Sequence, residues 1–99
     1  MQLNWTDLAV ADLDYVEEYI SKENDPVVAI DVVLNAINST ELILPNHPLA
    51  GRLGRLKDTR ELVIDGVPFI VIYRVEESLQ QLQVLRVIHD SQQWPGVNG

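Results

Sequence analysis

Apolar residues recur at helical spacing through the first half of the chain and in strand-like runs through the second. Gln2 to Trp5 alternates and reads as an edge strand. Thr6 and Asp7 then look like a helix start. A Thr cap offers its oxygen to the unpaired first-turn amides, and Asp7 suits the positive end of the helix dipole. Leu8, Leu13, Val16 and Ile20 form the apolar stripe of this helix, which Ser21 to Asn24 ends. Asp25-Pro26 opens a second helix, because proline fits a first turn whose amides have no partner anyway. Its stripe is Val27, Ile30, Val33, Leu34, Ile37 and Leu42 or Ile43. The short break between the helices predicts an antiparallel helical hairpin. Pro45 and Pro48 mark its exit, and Leu44 to about Asp58 is the longest irregular stretch.

Three strands are expected after it. They run from Thr59 to Ile64, from Val67 to Val75 and from Gln81 to Ile88. Asp65-Gly66 reads as a two-residue hairpin turn, and Glu76 to Gln80 as a polar turn. The order β-α-α-β-β-β defines an α+β fold with the helical hairpin packed on a small antiparallel sheet. The 99 residues form a single domain, 1–99, with an irregular tail over about 90–99.

Composition narrows the class. Hydrophobic residues are 46% and charged residues 22%, a globular balance. The absence of cysteine excludes disulfides and thiolate metal sites and fits a reducing cytoplasm. The N-terminus lacks the basic-then-apolar pattern of a signal peptide, and no apolar run reaches the ~20 residues of a membrane span. Net charge is -8, unevenly spread. Residues 1–50 hold nine acidic residues and one basic, Lys22, whereas residues 51–99 hold six of each. An acidic face repels nucleic acid and suits a basic partner. The positive charge gathers in Gly51 to Leu62, where Arg52, Arg55, Lys57 and Arg60 are four of seven basic residues.

With Asp65-Gly66 as the turn, Arg60 faces Val71, and Val71 in turn faces Arg86. Arg60 and Arg86 then share one row and a face with Leu62, Phe69, Tyr73 and Val84, while Arg74 points the other way with Val63, Ile72 and Leu85. Such a pair needs an anion. That is either an internal carboxylate, such as Glu61, Asp90 or a helix acid, or a ligand's phosphate or carboxylate. Arg52, Arg55 and Lys57 sit on the loop feeding the sheet and are expected to be exposed for a partner. Catalytic motifs are sparse. G-R-L-G-R-L-K is too short for a phosphate loop. His47 and His89 have no metal-ligand spacing, so no metal is expected. His89, ending the last strand, is either a structural histidine or a general base. Tyr73 is either core or a proton donor. Trp5 is an anchor, and Trp94 beside Pro95 either folds back or waits for a partner.

Several runs now line up with one family. Thr59-Arg60-Glu61-Leu62-Val63, Pro68-Phe69-Ile70-Val71-Ile72-Tyr73-Arg74-Val75, Val84-Leu85-Arg86-Val87-Ile88-His89 and Trp94-Pro95 resemble, in this order, the RelE/ParE toxin superfamily. The resemblance is strongest to ParE-like plasmid stabilisation toxins, and Trp5, Ala9-x-x-Asp12-Leu13 and Tyr19-Ile20 extend it over nearly the whole chain. It implies a toxin silenced by a cognate ParD-like antitoxin in a hetero-oligomer. It also implies a target, DNA gyrase for ParE-like members or ribosome-bound mRNA for RelE-like ones. The basic positions of the nucleases fall here on Phe69-Ile70 and Asp90-Ser91-Gln92-Gln93, and no Tyr follows Tyr73. The expectation is therefore a cytoplasmic gyrase inhibitor that acts by protein binding. It has no cofactor, no membrane partner and no direct nucleic-acid binding by the toxin alone. Its partner-binding residues would be Arg52, Arg55, Lys57, Arg60, Arg74 and Trp94. The alternatives are a ribosome-dependent endoribonuclease, which would have to use Arg60, Tyr73, Arg86 and His89, and a degenerate non-toxic binding module.

Overall fold

A computed structural model of the chain describes residues 1–66 and 68–89; the expected tail, with Trp94 and Asp90, lies outside the described residues. Strand β1 (Gln2–Trp5) leads into helices α1 (Asp7–Ser21) and α2 (Pro26–Ile43), followed by strands β2 (Arg52–Leu53), β3 (Arg60–Val63), β4 (Phe69–Glu76) and β5 (Gln81–His89). A short 3-10 turn at Glu77–Leu79 joins the last two. The sheet order is β1-β5-β4-β3-β2. The sheet is mixed rather than purely antiparallel, because β1 runs parallel to β5 while the other pairs are antiparallel. A parallel neighbour needs a long crossover, and everything between β1 and β5 supplies it.

The helix caps are as the sequence predicts. Thr6 Oγ1 accepts from the Ala9 amide at 3.2 Å, and Asp25 Oδ1 accepts from the Val27 amide at 2.9 Å. The buried faces differ from the expected stripes. In α1, Ala9, Leu13 and Val16 are buried, whereas Leu8 is exposed. In α2, Ala29, Ala36 and Thr40 are buried, and Val27, Ile30, Leu34 and Leu42 are exposed. α2 carries apolar residues almost all round, so periodicity alone cannot choose its inner face. The small side chains are the ones enclosed. The Thr40 hydroxyl donates to the Ala36 carbonyl at 2.7 Å, which lets a polar group be buried.

The core sits between the hairpin and one face of the sheet. Leu13, Val16, Ala36 and Leu44 meet Leu62, Phe69, Val71, Tyr73, Leu82, Val84 and Val87 there. The alternate residues of β4 and β5, Ile70, Ile72 and Ile88, form a second buried cluster on the opposite face.

The hairpin registers correct two expectations. Arg60 pairs with Tyr73 rather than Val71, a shift of two positions. With the shorter turn, Val63 would face Pro68, which has no amide to give the ladder, and the longer loop avoids this. Of the two turn residues, only Gly66 has positive φ, 77°. A two-residue shift keeps every side chain on its own face. The second correction is a bulge. Ile72 pairs with Arg86 but Tyr73 with Val84, so Leu85 is an extra residue. Arg86 therefore lies opposite Ile72, not Val71, and does not share a row with Arg60.

The bulge is where α1 is fastened to the sheet. Asp12 accepts from Arg86 Nε at 2.7 Å, Arg86 Nη2 at 3.0 Å and the Val87 amide at 2.9 Å. Thr6 binds the same place, its amide 3.1 Å and its hydroxyl 2.9 Å from the Val84 carbonyl. Hydrogen bonding to Asp12 raises the Arg86 pKa, with desolvation opposing it. The helix carboxylate is thus the anion that this arginine requires.

Asp12→Ala is expected to cost about 2–3 kcal/mol, since it strands both a guanidinium and an amide. Asp12→Asn should cost less, because it keeps an acceptor for the Val87 amide. Urea denaturation of the purified variants measures both; equal stability of Asp12→Ala and the parent would refute the fastening role.

Candidate functional site

The cationic segment is organised around two buried groups, the Tyr73 hydroxyl and the Glu61 carboxylate. Tyr73 lies in the middle of the apolar sheet and is fully buried. Its hydroxyl donates to the Pro48 carbonyl at 2.8 Å and accepts from the Gly51 amide at 2.9 Å. Burial raises its pKa, opposed by the Gly51 hydrogen bond and by the nearby charge of Arg60. Arg60 Nη1 donates to the Gly51 carbonyl at 2.8 Å, so both backbone groups of Gly51 are used. A Cβ at Gly51 would come within 2.7 Å of the Tyr73 ring and 2.9 Å of the Glu61 carbonyl, which explains the glycine.

Glu61 is 2% exposed, an unusual place for a carboxylate. Arg52 faces it across the β2–β3 pair. Glu61 Oε1 accepts from Arg52 Nε at 3.0 Å and lies 2.9 Å from Nη2, while Oε2 accepts from the Arg55 amide at 2.8 Å. The Arg55 guanidinium is farther away, with Nε at 3.8 Å. The two-residue strand β2, which the sequence reading left within the irregular stretch, exists because this carboxylate holds it against β3. The turn that follows is closed by the Gly54 amide on the Thr59 carbonyl at 2.8 Å and the Thr59 hydroxyl on the Leu56 carbonyl at 2.7 Å.

Beside this turn lies an open groove of about 560 Å³. Leu49, Leu53, Leu56 and Val75 supply apolar walls, and Arg55, Lys57 and Arg60 line it with positive charge. Leu53 and Leu49 are 78% and 62% exposed, far more than an unpartnered core residue would be. The sequence reading found the cations and missed these leucines. The signal was present in R-L-G-R-L-K, where leucine follows each arginine.

The other nominated residues are dispersed. Arg74 Nη2 donates to Gln83 Oε1 at 2.7 Å, and its Nε is 2.9 Å from Glu76 Oε1. Arg86 belongs to Asp12. His89 is held between rings, 5.2 Å from Phe69 and 5.7 Å from Tyr19 by centroid. Arg60 and Tyr73 meet through Gly51, but Arg86 and His89 are tied to α1. The four do not converge on one point where a reacting atom could sit. Among the described residues no three His, Cys, Asp or Glu side chains gather in a way that would hold a metal.

Nearly the whole chain, rather than this surface alone, is similar to known proteins. The family model described as "ParE toxin of type II toxin-antitoxin system, parDE" matches residues 3–94. The Sinorhizobium fredii (strain NBRC 101917 / NGR234) protein named "Putative toxin Y4kP" is 40% identical over 96 residues, covering 97% of this chain and 95% of the relative. Among solved structures, the chromosomal ParDE TA system from P. aeruginosa superposes with a TM-score of 0.77 at 27% identity, covering 90% of this chain and 95% of that one. The RelBE2 complex from Mycobacterium tuberculosis gives 0.60 at 20% identity, covering 89% and 95%, and shares the fold.

Tyr73→Phe removes both hydroxyl bonds and should destabilise the fold by about 1–3 kcal/mol. It should also flatten the alkaline limb of stability. A raised folded-state pKa means that the native state binds the proton more tightly. That stability is fully present below the ordinary value of 10.0 and is lost as pH rises through the folded pKa. Denaturant titrations from neutral pH to above pH 10 should show a steeper fall for the parent than for Tyr73→Phe; parallel curves would contradict the assignment.

Proposed function

The chain belongs to the ParE toxin family of type II toxin-antitoxin systems, and on that premise we propose that it inhibits DNA gyrase by binding it and performs no chemistry itself. One observation carries this reading. Of the four groups that the nuclease alternative would use, Arg60 is engaged on Gly51, Tyr73 on Pro48 and Gly51, and Arg86 on Asp12, while His89 lies between Phe69 and Tyr19 of α1, so the four do not gather at one point. General acid–base catalysis requires such groups within reach of one substrate proton, and these are dispersed over the fold. A net charge of -8 also opposes approach to the ribosome, which salt only partly screens. A gyrase target and a ParD-type antitoxin would both be met in the cytoplasm, which is where this reading puts the protein's work.

The partner that silences it is a cognate antitoxin of the ParD type, and its docking place is the groove beside Leu53. An extended or helical segment with apolar anchors and carboxylates would fill the leucine walls and answer Arg55 and Lys57. Arg52 is the wrong residue to remove in testing this, because its loss leaves the buried Glu61 carboxylate without its arginine.

The deciding experiment is a supercoiling assay with purified gyrase and refolded, antitoxin-free protein, run beside in vitro translation. Loss of supercoiling with translation intact is expected. Intact supercoiling with cleaved mRNA would replace this reading with ribosome-dependent cleavage, and no effect on either would leave a binding module without toxicity. For the antitoxin groove, the Arg55→Ala, Lys57→Ala double variant should bind the antitoxin about tenfold more weakly and with a shallower salt dependence. Unchanged affinity across a salt series would remove the groove from the interface.

A further inference from the structure

Helix α2 is the most apolar helix of the chain, yet much of that apolar surface faces outward. Between Pro26 and Ile43 only Asp31 and Glu41 are charged. Its inner face is settled in the core through Ala36, with Val32, Val33, Ile37 and Ile43 packed partly against it. Val27, Ile30 and Leu34 follow each other at three- and four-residue intervals on the other side, a single stripe along two turns. They are 62%, 45% and 49% exposed, and Val28 beside them is 44% exposed. By length and composition α2 is also the described helix that meets the requirement for crossing a membrane, though its inner face is part of the protein core.

The surroundings of the stripe are strongly acidic. Asp31 lies on it, and Glu23 and Asp25 stand at its N-terminal end. From Asp7 to Ile43 the hairpin holds nine acidic residues against Lys22 alone. Asp12 is neutralised by Arg86, but Glu18, Glu23, Asp25 and Asp31 are exposed. We propose that the outer stripe of α2 (Val27, Ile30, Leu34) is a docking surface for a basic amphipathic helix of a protein partner. The partner would lay Leu or Ile side chains along the stripe and direct Lys or Arg at the acidic rim.

The charge selects this occupant. A second copy of the chain would bring the same acidic rim against itself, and like charges juxtaposed across an interface are repelled. An anionic lipid surface would be repelled in the same way. Helices pack on one another through rows of side chains three and four residues apart, which is the spacing of Val27, Ile30 and Leu34. The surface is separate in sequence and in sign of charge from the cationic groove of Arg55 and Lys57, so it stands whether or not that groove takes the antitoxin.

The test uses the full-length free protein and two synthetic helices of about five turns, one with a Leu face and a Lys face, the other with Leu and Glu. Amide chemical shifts in an NMR titration should move in 26–35 with the Leu/Lys peptide and not with the Leu/Glu peptide. Leu34→Gln and the Glu23→Gln, Asp31→Asn pair should each weaken binding by about tenfold, with unchanged circular dichroism. All these positions are exposed on the surface, so the fold is retained. Shifts confined to residues 49–60, equal binding of both peptides, or unchanged affinity in the variants would overturn the proposal. Two controls assign the surface elsewhere and likewise overturn it. One is a concentration-dependent dimer in sedimentation that Leu34→Gln dissolves. The other is binding to zwitterionic vesicles that Leu34→Gln abolishes.

Discussion

A single buried hydroxyl fixes the geometry of the cationic loop. Tyr73 sits at the centre of the apolar sheet, and a phenol there is tolerated only when its oxygen is bonded. Both of its bonds run to the 48–51 segment, more than twenty residues earlier in the chain. That ties the exit of α2 to the middle strand. Gly51 is then placed so that Arg60 reaches its carbonyl, and the next residue, Arg52, falls opposite Glu61. The loop's positive charges are consequently aimed by the core. Arg52 is drawn in to balance Glu61, while Arg55 and Lys57 are left at the rim of the groove.

This division gives the cations two different roles. Arg52, Arg60 and Arg86 each satisfy an acceptor made by the fold itself. Arg52 and Arg86 are balanced by carboxylates, whereas Arg60 is held by a neutral carbonyl and keeps its charge at the groove. Arg60, fixed by its bond to Gly51, lines the groove beside Leu53 and Val75. A rigid amphipathic groove suits recognition, because little conformational entropy is lost when a partner enters.

Much of the fold was legible in the sequence, for reasons that also explain the failures. The caps at Thr6 and Asp25 follow from local hydrogen-bonding chemistry, which needs no tertiary information. The faces of β3 and β4 were read correctly even where the register was not, whereas the bulge carries Arg86 to the face of Ile72, opposite to the expected one. The Arg60 pairing moved by two positions, and a two-residue period is blind to that shift. The bulge at Leu85 could not be read, since it depends on Asp12 of a helix more than seventy residues away reaching the Val87 amide. The α2 stripe was misread because apolar residues surround that helix, and contrast is what periodicity measures. Full burial there went to Ala29, Ala36 and Thr40, the residues small enough for close approach; of the expected stripe Val33, Ile37 and Ile43 pack partly on the core, and Val27, Ile30, Leu34 and Leu42 are left outside. At the site, the cations were visible as a cluster. An internal carboxylate (Glu61, Asp90 or a helix acid) was expected for Arg60 and Arg86; a helix acid, Asp12, does hold Arg86, but Glu61 takes Arg52 and Arg60 goes to the Gly51 carbonyl, because pairing depends on which residue the bulge and the β2–β3 ladder bring near.

Opposite charge on two surfaces has a consequence for how so small a protein can be controlled. Nine of its fifteen acidic residues lie before residue 51, and six of its seven basic residues lie after residue 50. A partner of one charge sign is attracted to one surface and repelled by the other. A chain presenting a basic helix and an acidic segment in the right order can engage both. The second contact is then intramolecular, and its effective concentration is set by the linker rather than by the cell. Affinity gained in this way needs no single deep pocket, which is consistent with an open groove and a shallow helical stripe. It also makes the orientation of the partner unique, because reversing it places like charges together at both ends.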